Sequence, residues 1–137
     1  MFKPKFVLVL LYILIKYLVF YVFLMLKNGN YSFLQIGDIK NGEDLFYYLW
    51  LLLFMPIICI ILFSVPLYFS FRLRKAVYFV PLISFVFIAE YFLYTYFAST
   101  SNLMNGLYNG VISLTFFVLF FYTSIGKILS GNKQNSV

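Results

Sequence analysis

Histidine is absent from this chain of 137 residues, and cysteine occurs once, as Cys59. The first absence excludes imidazole ligation of haem, most zinc sites and every Ser-His or Cys-His nucleophile. The second excludes an intramolecular disulfide, and the place of Cys59 inside an apolar run suits an inert buried thiol. Acidic residues are equally scarce: Asp38, Glu43 and Asp44 lie close together, and Glu90 stands alone. Neither aspartate falls within a long apolar run, which excludes a paired-aspartate intramembrane hydrolase. No glycine-rich phosphate loop is present. Charged residues make up 10% of the chain, against roughly 25% in soluble domains. Apolar residues reach 64% and aromatics 24%, so lipid is the implied solvent.

What remains is a set of long apolar runs. They predict an all-α integral membrane protein of four transmembrane helices in a small antiparallel bundle. The spans cover residues 6–26, 45–71, 76–98 and 107–125, each near the roughly 20 residues that cross a bilayer. One four-helix domain then occupies residues 1–137. The first run could compete as a cleaved signal peptide, but no small-x-small site follows it and Tyr21 to Leu26 are bulky. Pro56 and Pro66 in the second run remove backbone donors and predict a kinked or tilted span. Only Arg72 to Lys75 separate the second run from the third, which makes the two a tight hairpin.

The cations orient the spans, because short loops rich in Lys and Arg stay cytoplasmic. Lys3, Lys5, Arg72, Arg74, Lys75, Lys127 and Lys133 fall on one side, and Lys27 and Lys40 on the other. Both termini are therefore expected in the cytoplasm, in a multi-pass plasma-membrane protein. Abundant Phe, Ile, Tyr and Asn with only three alanines imply an A/T-rich genome and a bacterial inner membrane. The formal charge of +6 is mainly a topology signal, and no soluble basic surface is left to bind nucleic acid.

Two charges interrupt the apolar runs. Lys16 and Glu90 each carry a cost on the order of 2.5–3.5 kcal/mol at the centre of a membrane helix, so each is expected to face protein, water or the other. Lys16 lies roughly 15 Å along its span and Glu90 roughly 21 Å along a span of the same direction, within reach of a lysine side chain. Tyr12 and Tyr94 sit one turn away on the same faces and complete a polar seam. Such a seam either fixes helix register or binds a proton or cation, with Lys16 as alternating counter-charge. A third reading has Lys16 snorkelling to the interface beside a silent Glu90.

Two further features point to association. Gly106, Gly110 and Ser113 form a small-residue stripe that allows close helix approach, with Asn105 and Asn109 at the same spacing. The outer loop, residues 27–44, places Tyr31 and Phe33 beside Asp38, Glu43 and Asp44 as a candidate recognition segment. Its acids lack calcium-loop spacing, so no metal is expected. Asn41 reads instead as a helix N-cap, with Glu43 and Asp44 in the first turn. Small multidrug exporters share four spans and one membrane glutamate, but theirs lies in the first span, where this chain has Lys16. The expected function is non-enzymatic and cofactor-free: an accessory subunit, immunity factor or membrane effector that meets the lipid bilayer, a protein partner or its own copies. The alternative is a small ion- or proton-coupled transporter or channel using Glu90 and Lys16.

Overall fold

A computed structural model describes residues 4–29, 37, 39–73, 75–98 and 102–130. Among these residues the secondary structure is helical, with no strand. Four helices are long and apolar enough to cross a membrane: α1 (Phe6–Lys27), α2 (Gly42–Ser70), α3 (Ala76–Phe97) and α4 (Leu103–Ser130). Their boundaries follow local chemistry. α1 stops at Asn28 and Gly29, where the glycine takes φ +72° and the two N–H groups donate to the Leu24 and Leu26 carbonyls. Before α2, Asn41 is extended and its side chain accepts the Asp44 N–H at 2.8 Å, while Asp44 accepts the Lys40 N–H at 3.2 Å.

α4 begins at Leu103, earlier than apolar content alone places it. Asn102 caps it by accepting the Met104 N–H at 2.9 Å. Asn105, Gly106 and Asn109 dilute the hydropathy of this first part but are all buried, so its outward surface stays apolar. The helix also runs on to Ser130, with a break in helical geometry at Phe121.

Each helix packs against its neighbours in the chain, and α1 also packs against α4. Contacts at the ends fix directions. Phe6 of α1 meets Tyr68 near the end of α2, and Trp50 Nε1 of α2 donates to the Phe97 carbonyl at the end of α3 at 2.8 Å. Lys27 at the end of α1 lies 4.4 Å over the Tyr108 ring near the start of α4. The outer surface is apolar, with Phe85 68% and Leu119 69% exposed. In water such a surface is a liability, whereas in lipid it needs no protein cover.

Proline explains the irregular part of α2. Residues Trp50–Phe54 form a π-helical turn, in which the Met55 N–H donates five residues back to the Trp50 carbonyl. The next bond in that register would run from residue 56 to Leu51, but Pro56 has no N–H. The Tyr17 hydroxyl of α1 donates to the Leu51 carbonyl instead. A backbone acceptor freed by proline is thus satisfied from the neighbouring helix. Tyr17→Phe is expected to lower stability by about 0.5–1.5 kcal/mol, measured by reversible unfolding in bicelles, because that carbonyl then has no donor.

Candidate functional site: a buried charge cluster

Three helices meet at one polar cluster. Lys16 of α1 and Glu90 of α3 form an ion pair between Nζ and Oε1, and the two side chains are 0% and 1% exposed. Ser113 of α4 completes it: its Oγ accepts from Lys16 Nζ at 3.2 Å and donates to Glu90 Oε2 at 3.0 Å. Both carboxylate oxygens therefore have a partner. α1 and α3 are not chain neighbours and pack less closely than the adjacent pairs. The long stem of Lys16 bridges that gap, which a shorter residue would leave open.

The tyrosines enter differently from their simplest sequence reading. Tyr12 does not bond Lys16 through its hydroxyl, which donates to the Ser113 carbonyl at 3.1 Å. Its ring faces the ammonium, with Nζ 5.2 Å from the centroid. Tyr94, one turn after Glu90, accepts the Cys59 thiol at 3.5 Å, linking α2 to α3. Phe20 meets the Tyr94 ring edge-to-face at 4.8 Å. Each hydroxyl is used by a group that chain spacing could not identify, the Ser113 carbonyl for Tyr12 and the Cys59 thiol for Tyr94.

The inward stripe of α4 divides at Ser113. Asn105, Asn109 and Ser113 recur every four residues toward its start, and Phe117 and Phe121 continue the stripe toward its end. The aromatic half is closed: Tyr12, Phe71, Phe117 and Phe121 have ring centroids 4.6–6.0 Å apart. The polar half is less completely satisfied. Asn109 Oδ1 lies 3.3 Å from Ser113 Oγ, as an alternative acceptor for the one hydroxyl hydrogen that Glu90 takes, and its buried Nδ2 has no partner among the described residues.

The small-residue stripe lies largely inside the chain. Gly106 is buried against α3, where an added Cβ would stand 2.7 Å from the Tyr91 carbonyl oxygen and collide with Thr95 Oγ1. Ser113 belongs to the charge cluster. Gly110 is half-buried, with open space where a Cβ would stand. In the outer loop, Tyr31, Phe33 and Asp38 lie outside the described residues. Glu43 and Asp44 occupy the first turn of α2, where Asp44 serves the cap.

Two substitutions test this geometry. Ser113→Ala removes one hydrogen bond to each charge and is expected to cost about 1.5–3 kcal/mol in bicelle unfolding. Gly106→Ala forces α3 and α4 apart and is expected to cost about 1–3 kcal/mol, whereas Gly110→Ala, one turn on, stays within about 0.5 kcal/mol of wild type.

No protein-family model, curated protein or solved structure matches this chain, so its site is interpreted from its own geometry.

Proposed function

We propose that the chain is a non-enzymatic multi-pass protein of the plasma membrane, in which an antiparallel bundle is locked by Lys16, Glu90 and Ser113 and acts by associating with a partner in the bilayer. The observation that carries this reading is the closure of the cluster. Lys16 and Glu90 are enclosed, and both carboxylate oxygens are engaged by other side chains. A carboxylate so engaged has little capacity left for a travelling cation, and its charge is already balanced.

The sidedness follows from the ends of the helices. Lys5, Arg72, Lys75 and Lys127 fall at the end that holds the N-terminus of α1 and the C-terminus of α4, an excess of cations that supports a cytoplasmic position for that end. Lys27 and Lys40, accompanied by Glu43 and Asp44, belong to the opposite face. An accessory subunit, immunity factor or membrane effector fits a protein whose polar atoms are spent on its own fold. The contact surface would lie at the outer end, where Phe46, Trp50 and Phe54 stack along α2 with centroids 6.4 Å apart. The partner is a second membrane protein or another copy of the chain.

One observation favours a second reading, a proton- or ion-coupled transporter. The Asn109 amide, without a partner among the described residues, lies on a polar stripe that reaches the cluster from one end only. Water along that stripe would give Glu90 access to one side of the membrane. Flux in proteoliposomes separates the readings. The lock predicts ion and proton flux no greater than in empty vesicles, together with a specific crosslinked product in native membranes. Flux that disappears in a folded Glu90→Gln variant would establish the second reading and overturn the first.

A further inference from the structure

Between α2 and α3 runs an apolar groove of about 230 Å³. Phe63 and Val86 form its floor, being 5% and 1% exposed, and the exposed Leu62 and Phe85 form its rims. Its origin is visible in the sequence. Pro66 on α2 and Ala89 on α3 present short side chains where their neighbours are bulky, so the two helices leave a channel.

The same two helices end in cations. Arg72 and Lys75 flank the turn and both are exposed. Arg72 is held in place: its guanidinium donates to the Tyr68 hydroxyl at 2.8 Å and lies 4.7 Å and 5.4 Å from the Tyr68 and Phe69 ring centroids. Phe69 continues the face of α2 that carries Leu62 and Pro66, and Lys75 shares the face of α3 that carries Val86, Ala89 and Leu93. Both cations therefore stand at the hairpin end of the two helices that line the groove. Pro66 is six residues from Arg72, or roughly 9 Å of helix, and Leu62 and Phe85 are each ten from the nearer cation, or roughly 15 Å. The near part of the groove lies within about half of a 30 Å hydrocarbon core, the reach of one leaflet's acyl chain, and Ala89, fourteen residues from Lys75, lies roughly 21 Å deep.

We propose that the α2–α3 hairpin holds one anionic phospholipid, its phosphate between Arg72 and Lys75 and an acyl chain in the groove between Pro66 and Ala89. The charge selects the headgroup and the groove retains the chain, so the lipid exchanges more slowly than its neighbours. A planar guanidinium with free N–H groups suits a phosphate, and anionic lipid recurs beside such juxtamembrane cations. The flank of α3 beside the groove is then covered by a fixed lipid.

The test is lipid retention by the full chain. Protein reconstituted in phosphatidylcholine with one tenth phosphatidylglycerol is extracted into mild detergent, and the retained lipid is counted by native mass spectrometry. The expected result is about one phospholipid per chain, with phosphatidylglycerol enriched at least tenfold over its input ratio. Arg72→Gln with Lys75→Gln returns that ratio to the input value, and Ala89→Phe, which fills the groove, lowers retention of both lipids. Lys27→Gln with Lys40→Gln, at the opposite end, leaves the enrichment intact. Helical content and monodispersity confirm that each variant is folded. Retention at the input ratio in wild type, or enrichment that survives in Arg72→Gln with Lys75→Gln, overturns the proposal. Unchanged retention in Ala89→Phe removes the groove from it.

Discussion

The contact on which the structure depends is the ion pair between Lys16 and Glu90. In a bilayer the hydrophobic effect does not press helices together, since lipid tails are as apolar as leucine side chains. Four mostly apolar helices have many nearly equivalent ways to pack. A buried cation and a buried anion remove most of them, because any arrangement that separates the two leaves each uncompensated in hydrocarbon. The pair also joins α1 to α3, which neither loops nor close backbone packing connect. Ser113 then draws α4 to the same point. Register, rotation and neighbour order of three helices are thereby tied to one cluster.

The remaining polar atoms follow the same rule, since backbone groups in lipid need partners from within the protein. Pro56 frees the Leu51 carbonyl, and Tyr17 supplies the missing donor. The end of α3 exposes the Phe97 carbonyl, and the Trp50 indole bonds it. These bonds tie α2 to both of its neighbours near one end, and Cys59 and Tyr94 tie it to α3 further along α2. At the other end, polar contacts give way to rings around Phe71, Phe117 and Phe121. α4 serves both regions with one stripe, asparagine and serine first, phenylalanine after.

Hydropathy made the four helices legible, because roughly 20 apolar residues have few alternatives as a structure. The Lys16–Glu90 contact was also within reach, from depth alone, since two charges in so apolar a setting seek one another. Other parts were hidden for identifiable reasons. Ser113 reads as a small residue until α4 is rotated toward the pair, and only the four-residue spacing from Asn105 through Asn109 hints at that rotation. The bond from Tyr17 to Leu51 depends on a π-helical turn, whose signature is only a proline five positions later. Gly106 reads as a close-approach site without naming the helix it meets, and it is the contact with Tyr91 and Thr95 that assigns it to α3. The start of α4 was obscured because its polar residues point inward, opposite to the pattern that a soluble helix shows.

A double-mutant cycle with Lys16→Met and Glu90→Gln, measured by reversible unfolding in bicelles, tests the central claim most directly. The lock predicts single losses of about 3–5 kcal/mol, a double variant less damaged than their sum, and a coupling energy of at least about 2 kcal/mol. Additive losses, with coupling below about 0.5 kcal/mol, would contradict it and leave the arrangement of the helices to their apolar packing.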